Sequence, residues 1–183
     1  NENLRCRKIY SFEPVGSTYK ILSDKFKDSK NSQIENLALS NSTGTESINI
    51  SQYSGLNSLK NIDSKYFTGK TEKITLQTLD NYVKENSIPQ IDFLKIDTEG
   101  FELEVLKGAA ETIKKGKIRF IYCEIGYGSY NNVHTDMNDI RQFLEPYGYR
   151  FVALYDMSYK IFKKDHSGNV LYYRYEDWFA RKC

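Results

Sequence analysis

The chain has 183 residues, of which 39% are hydrophobic and 27% are charged, and its formal net charge is +2. A chain of this length can build a core of its own, so we expect a single domain over residues 1–183. The nearly balanced charge gives no support for a nucleic-acid partner, which needs a clustered basic face, and no apolar run approaches the roughly 20 residues that span a bilayer.

The cysteines, Cys6, Cys123 and Cys183, are far apart in the sequence. Their spacing is that of neither a disulfide framework nor a metal site. Free thiols in a reducing compartment are the simpler interpretation, so we expect a cytoplasmic protein without a bound metal. The sequence carries no indication of an oligomeric state.

The first half of the chain predicts two strands, a helix between them and a long polar segment. Apolar residues form a strand at Lys8–Phe12, and apolar side chains at helical spacing follow from Gly16 or Ser17. Gln33–Leu39 is the second strand. The segment Ser40–Lys73 is rich in serine, asparagine and glycine, and we expect it to form a hairpin and a long surface loop.

The second half alternates strands and helices. Ile91–Ile96 is apolar on both faces, as central parallel strands are, and an apolar stripe runs along a single helix predicted over Gly100–Lys115. One further helix follows Thr78, and another passes through Ile140 and Leu144. The remaining strands are predicted at Lys73–Leu76, Ile118–Glu124, Tyr149–Tyr155 and, as a pair around the turn DHSGN, Tyr159–Lys163 and Val170–Tyr175.

Strands and helices that alternate in this way are typical of an α/β fold, here a doubly wound sheet that is mostly parallel and ends in an antiparallel hairpin. Ligands of such sheets bind at the carboxyl ends of the strands. Three predicted strands end in acids there: Glu13, Asp97 and Glu124. Glu13 suits the two hydroxyls of a ribose, because a carboxylate offers two acceptor oxygens. We interpret Glu99 and Glu102, at the start of the next helix, as capping residues.

The run IDFLKIDTEGFELEVLKGA resembles the signature of the FkbM-type methyltransferases, a family that uses S-adenosylmethionine (SAM). The resemblance extends over most of the chain, through IYSFEP, ENLALSN, ITLQTLDNYV, FIYCEI and FLEPYGYRF. It implies a Rossmann-like class I methyltransferase fold with SAM as the cofactor. The family is similar to sugar and natural-product O-methyltransferases, so the implied acceptor is a hydroxyl group on a small molecule or a glycan.

The resemblance also implies roles for individual cofactor-binding residues. Glu13 would hold the SAM ribose. Asn36 and Ala38, with the residue between them, would lie against the adenine. Asp97 would sit near the methionine part of SAM and the methyl group that is transferred.

An acceptor hydroxyl loses its proton as it attacks, so a positioned base assists the reaction. Asp97 is the first candidate for this base, and His134 and Glu124 follow it. A lone loop histidine is more often a surface residue, and Glu124 has the alternative of a structural ion pair. Tyr127 and Tyr130 either wall an acceptor pocket or merely cover the edge of the sheet.

The family's first strand leads into a glycine-rich turn, DxGAxxG, whose backbone approaches SAM closely. This sequence contains no such turn and starts directly before the family's second strand. We therefore expect the first strand and the glycine loop to be missing, with a gap between the strands that end in Glu13 and Asp97. Two alternatives stay open on this ground: a non-catalytic Rossmann-like relic or interaction module, and a nicotinamide-dependent oxidoreductase.

Overall fold

The computed structural model describes residues 8–52, 57–59, 67–127, 134–159 and 166–174, with the backbone alone for residues 127, 156–159 and 166–174. Within these ranges the strands are β1 (Ile9–Phe12), β2 (Ser32–Glu35), β3 (Ala38–Leu39), β4 (Gly44–Ser51), β5 (Phe67–Gln77), β6 (Ile91–Ile96), β7 (Ile118–Tyr127), β8 (Tyr149–Tyr159) and β9 (His166–Arg174). The α-helices are α1 (Gly16–Phe26), α2 (Leu79–Glu85), α3 (Glu102–Lys107), α4 (Ala110–Lys114) and α5 (Met137–Leu144), and a 3₁₀ turn spans Glu145–Tyr147.

The strands form three hydrogen-bonded groups. β1 pairs with β2, β5 lies between β3 and β4, and the largest sheet has the order β6-β7-β9-β8. The pairs β1–β2, β3–β5 and β6–β7 are parallel, whereas β4–β5, β7–β9 and β8–β9 are antiparallel. The α/β fold is therefore confirmed, with parallel strands in each group and an antiparallel hairpin at the C-terminal side. β1 and β6 belong to different groups, and the described residues contain no pairing between them.

The segment predicted as one strand, Gln33–Leu39, is divided between two of these groups. β2 pairs with β1, whereas β3 pairs with β5. At the break, Nδ2 of Asn36 donates hydrogen bonds to the carbonyl oxygens of Glu13 and Pro14, each at 3.0 Å. This contact redirects the chain from one sheet to the next, which the apolar pattern of the segment does not reveal.

β4 and β5 form a hairpin that is more regular than the predicted loop over Ser40–Lys73. The antiparallel register is continuous from Gly44 to Asn49. The strand predicted at Lys73–Leu76 is longer in the structure, where β5 has 11 residues. Hydrogen bonds to the neighbouring strand satisfy the backbone groups of polar and apolar residues alike, so the strand continues through polar residues. Residues 53–56 and 60–66 of the predicted loop lie outside the described residues.

The single helix predicted after the KIDTEG run is two helices, α3 and α4, which are separated at Gly108. A carboxylate from the start of α2, Asp80, caps α4 by accepting hydrogen bonds from the backbone nitrogens of Glu111 (3.0 Å) and Thr112 (2.8 Å). At Gly108 a Cβ atom would lie 2.0 Å from the carbonyl oxygen of Ser40. The close approach of the two backbones thus requires glycine at the break.

The C-terminal hairpin is longer than predicted. β8 continues to Tyr159, which pairs with His166 in β9. The prediction that Tyr159–Lys163 pairs with Val170–Tyr175 around DHSGN is therefore wrong in register, although 160–163 lie outside the described residues. β9 pairs with both β7 and β8 and supplies hydrogen-bond partners along most of their length.

The main apolar core joins helices α2 to α5 to strands β6, β7 and β8. Its largest fully buried side chains include Leu106, Ile113, Ile121 and Tyr149. The Tyr149 hydroxyl donates a hydrogen bond to the carbonyl oxygen of Ile118 at 2.6 Å, so this buried polar group has its partner. Among the described residues, no helix combines the length and the apolar character needed to cross a membrane.

Candidate active site

Asp97 and Glu124 are neighbours because of the register of two parallel strands. The pairing of β6 with β7 ends at Ile96 and Cys123, so the next residues along the two strands are Asp97 and Glu124. Glu124 does not end its strand as predicted, because β9 pairs with β7 as far as Tyr127. Two acids therefore lie together at the carboxyl end of β6, where ligands of α/β sheets bind.

Glu102 holds the loop that follows β6. Its side chain is fully buried, and Oε1 accepts hydrogen bonds from the backbone nitrogens of Thr98 (3.1 Å) and Gly100 (2.9 Å) and from the Thr98 hydroxyl (3.1 Å). Oε2 accepts from the hydroxyl (2.6 Å) and the backbone nitrogen (3.3 Å) of Thr135. An ionised carboxylate only accepts, so it suits these five donors. Glu102 thus joins two loops, and the prediction that it caps the helix is wrong.

The same contacts bring His134 to the sheet edge. The backbone nitrogen of Gly126 in β7 donates to the carbonyl oxygen of Thr135 at 2.8 Å, while Thr135 also bonds to Glu102. The preceding residue, His134, lies beside Glu124, with its Nδ1 3.4 Å from Oε2. This separation is at the long end for a hydrogen bond, so the contact is mainly that of an ion pair.

Glu99 completes the group, and this role was missed in the sequence. Its φ is 52°, in the left-handed region, and Gly100 follows with a φ of 102°. This turn places a Glu99 oxygen, a Glu124 oxygen and a nitrogen of His134 within 4.8 Å of one another. Glu99 is not a cap of α3, whose N-terminal cap residue makes no side-chain hydrogen bond. The signal in the sequence is the glycine after it, since Glu-Gly between a strand and a helix is typical of a tight turn.

Asp97, Glu99, Glu124 and His134 are called the carboxylate–histidine cluster from here on. Asp97 also accepts a hydrogen bond from Nζ of Lys95 at 2.8 Å. Burial opposes ionisation of Asp97, but the hydrogen bond from Lys95, followed by the contacts with Glu124 and His134, lowers the pKa of this carboxyl below its usual value. Asp97 therefore stays ionised at neutral pH.

Glu99 and His134 have pKa values that shift in the opposite direction. Burial, and next the negative charge of Glu124, raises the pKa of Glu99 to about 7, although His134 partly offsets the shift. Burial disfavours protonated His134, yet the contact with Glu124 and the charges of Glu99 and Glu102 outweigh it and raise the pKa of His134. Within the cluster, Glu99 therefore has a pKa suited to proton exchange near neutral pH, as groups in acid–base sites often have.

Glu13 and Asn36 form a second group at the carboxyl end of β1. Oε1 of Glu13 accepts a hydrogen bond from the backbone nitrogen of Val15 at 3.0 Å. Burial raises the pKa of Glu13, the bond from Val15 opposes this shift, and the nearby charge of Glu72 adds to it. The third residue predicted at the cofactor site, Ala38, lies in β3 and packs against the smaller of the two apolar clusters.

The family model of the methyltransferase FkbM domain matches residues 2–151 of the chain. The chain belongs to the FkbM methyltransferase family. A similar fold occurs in the crystal structure, at 2.20 Å resolution, of the methyltransferase FkbM from Methylobacillus flagellatus KT, with a TM-score of 0.55 and 17% sequence identity. The similarity covers 91% of this chain and 36% of that one. None of the curated proteins matches the chain.

In this FkbM-family chain the cluster also has the donor set of a small cation site. Oxygen and imidazole donors from Glu99, Glu124 and His134 lie close enough together to share one divalent ion. We assign no metal to the cluster and describe it by the contacts and the pKa shifts of its members.

Other candidate residues have different outcomes. Tyr130 and the side chain of Tyr127 lie outside the described residues, so their predicted contact with an acceptor stays a prediction. Cys123 lies fully buried in β7, directly before Glu124. Burial, followed by the charges of Glu102 and Glu124, raises the pKa of its thiol far above the usual value. A thiol of this kind is inert as a nucleophile at neutral pH.

The raised pKa of Glu99 predicts how stability depends on pH. Between about pH 4.5 and pH 7 the folded protein keeps a proton that the unfolded chain has released, so the free energy of unfolding decreases as the pH rises. Glu99→Gln removes this proton exchange, and we expect the decrease to become shallower. Urea unfolding at several pH values between about 5 and 7 measures it. Glu104→Gln, at a partly exposed glutamate outside the cluster, is the matched control. An equal slope in Glu99→Gln and in the wild type would contradict the prediction.

Proposed function

We propose that this chain is the catalytic part of a SAM-dependent O-methyltransferase that acts on a hydroxyl group of a sugar, a glycan or a small natural product. The observation that carries the proposal is the carboxylate–histidine cluster at the sheet edge of a chain that belongs to a methyltransferase family. A cytoplasmic location is proposed with it, on the basis of the buried free thiol of Cys123.

The residues at the end of β1 fit a cofactor of this kind. The Glu13 carboxylate accepts one hydrogen bond from Val15 and has further lone pairs for the vicinal hydroxyls of a ribose. Asn36 fixes the loop that carries Glu13, because its side-chain amide donates hydrogen bonds to the carbonyl oxygens of Glu13 and Pro14. Ala38 and its neighbours are proposed to face the adenine.

Bound SAM would supply a methyl group on a sulfonium centre, which needs no metal to make it reactive. The protein then has to hold the acceptor oxygen in line with the methyl carbon and the sulfur, and to remove the hydroxyl proton as the oxygen–carbon bond forms. S-adenosylhomocysteine is the second product. The cluster is proposed to take this proton.

Within the cluster, Glu99 is proposed as the proton acceptor. A general base works best when its pKa is near the working pH, and the pKa of Glu99 is about 7. Asp97, the base favoured by the sequence alone, is a weaker base because Lys95 lowers its pKa. We propose that ionised Asp97 instead faces the transferring methyl group, and that Glu124 and His134 set the charge around Glu99.

The proposed function is tested by the release of S-adenosylhomocysteine. The complete gene product that contains this chain is incubated with SAM carrying a labelled methyl group and with a panel of sugars, glycans and phenolic or polyketide alcohols. Label on an acceptor oxygen, with an equal amount of S-adenosylhomocysteine, is the expected result. A gene product that binds no SAM and releases no S-adenosylhomocysteine would instead support the non-catalytic alternative.

A further inference from the structure

A residue far from the cluster in sequence contacts the turn that carries Glu99. The hydroxyl of Ser58 donates a hydrogen bond to the backbone carbonyl oxygen of Glu99 at 2.9 Å, across 41 residues of sequence. The Ser58 side chain is almost completely buried, with 1% of its surface exposed. The contact is therefore part of the packed structure of the site.

The segment that carries Ser58 is tied to the β4–β5 hairpin. Ser58 and Asn49 form an isolated antiparallel bridge, with backbone nitrogen-to-oxygen distances of 3.0 and 3.3 Å. Oδ1 of the adjacent Asn57 accepts a hydrogen bond from the backbone nitrogen of Ser51 at 2.8 Å. Leu59 packs against the smaller apolar cluster. The β4–β5 hairpin thus holds Ser58 in place, and Ser58 contacts the loop that follows β6 in a different sheet.

Glu99 needs such an anchor. The left-handed region is strained for a non-glycine residue, so the surrounding contacts must hold Glu99 there. Glu102 binds the backbone nitrogens of Thr98 and Gly100 on either side of Glu99. Ser58 binds the carbonyl oxygen of Glu99 itself and fixes the peptide that follows it.

We propose that Ser58 is a positioning residue that keeps Glu99 in its left-handed conformation and so holds its carboxylate against Glu124 and His134. Without the hydroxyl, the Glu99 peptide can rotate toward an ordinary conformation and carry the carboxylate away. The meaning of this contact for catalysis rests on the proposed function, whereas its effect on Glu99 does not.

The displacement has a defined effect on proton binding. The acidic groups that act on His134 are Glu124, Glu99, Glu102 and, across the cluster, Asp97. Moving Glu99 away removes one negative charge next to His134, which lowers the pKa of the imidazole. It also takes Glu99 out of its buried position and away from the charge of Glu124, so its pKa falls from about 7 toward the ordinary 4.5.

The test compares Ser58→Ala with Thr68→Ala in the full 183-residue chain. Thr68 lies in the same hairpin, and its hydroxyl also donates to a backbone carbonyl oxygen, that of Ile50, at 2.9 Å, but away from Glu99. NMR measures the coupling between the amide and α protons of Glu99, which reports its φ, and the titrations of the Glu99 carboxyl and the His134 imidazole. EDTA in the buffer ensures that proton binding alone is observed, and His166 is the internal reference.

We expect Ser58→Ala to change the coupling of Glu99 and to lower both pKa values, whereas Thr68→Ala keeps the wild-type values. A folded Ser58→Ala protein with wild-type coupling and titrations would overturn the proposal, even if its stability were reduced. Should Ser58→Ala fail to fold, Ser58→Gly also removes the hydroxyl donor and is subject to the same criterion. No SAM or acceptor enters the measurement, so failure of the proposed function would leave its result unaffected.

Discussion

Replacement of Glu102 by glutamine is expected to lower the free energy of unfolding by about 3 kcal/mol. The glutamine side chain has the same shape, but its amide nitrogen donates where the carboxylate accepts. Whichever way the amide turns, that nitrogen faces either the backbone of Thr98 and Gly100 or that of Thr135. A buried donor that loses its acceptor costs about 1–3 kcal/mol, and hydrogen bonds to a charged group are the stronger ones.

Urea unfolding of Glu102→Gln measures the loss, provided that the slope of the transition equals that of the wild type. The matched control is Glu104→Gln, two residues along the same helix, where the partly exposed carboxylate pairs with Lys107 at 3.5 Å. A surface pair of this kind contributes little, so the control is expected to stay within about 0.5 kcal/mol of the wild type. Equal stability of the two variants would show that Glu102 does not hold the two loops together.

Glu99→Gln in the complete gene product is expected to lower kcat for methyl transfer by about 10²- to 10⁴-fold, the usual contribution of a general base. Glutamine occupies the same position but cannot take a proton from the acceptor. The affinity for SAM is expected to stay within about threefold, because Glu99 is proposed to act on the acceptor. The rate is measured with an acceptor identified by the labelled-methyl assay, at saturating SAM.

Asp97→Asn is the companion variant, and we expect it to lower kcat less than Glu99→Gln does. The ionised Asp97, bound to Lys95, is the weaker base. If Asp97→Asn loses most of its kcat but keeps its affinity for SAM, and if Glu99→Gln stays active, then Asp97 and not Glu99 is the general base. Equal losses of kcat and SAM affinity in Asp97→Asn would assign this residue to cofactor binding.

The elements with a strong local pattern could be predicted from the sequence. β6 was predicted with its bounds, because a short apolar run between Pro89 and a strand-end acid leaves little freedom. The start of α2 was also predicted, because threonine is a common cap residue at the start of a helix. In the structure the Thr78 hydroxyl oxygen accepts the capping hydrogen bond from the backbone nitrogen of Asn81. Both depend on residues next to each other in sequence.

Features that depend on contacts between distant residues could not be predicted. The break between α3 and α4 is set by Asp80 and by the approach of Ser40 to Gly108, neither of which alters the apolar stripe of the segment. β7 is longer than its apolar run because β9, about 40 residues later, pairs with it. Propensity carries no information on such pairing.

The same distinction applies to the site. Asp97 and Glu124 could be placed at strand ends from the sequence, and His134 could be named as a candidate. That His134 lies beside Glu124 depends on the contacts of Thr135, which no local pattern indicates. The sequence predicts Glu99 as a helix cap because acids are common before helices. It does not indicate the left-handed turn at Glu99 or the contact of this turn with Ser58, which lies 41 residues away.

The central claim is that this FkbM-family chain is part of an enzyme that binds SAM, and calorimetric titration of SAM into the complete gene product tests it most directly. We expect one SAM per chain, and about 10- to 100-fold weaker binding in Glu13→Gln, which loses charged hydrogen bonds to the ribose. Glu72→Gln is the matched control, because the carboxylate of Glu72, in β5, also lies near the start of α1, where it accepts a hydrogen bond from the backbone nitrogen of Gly16 at 2.8 Å. A wild-type protein that takes up no SAM would contradict the account.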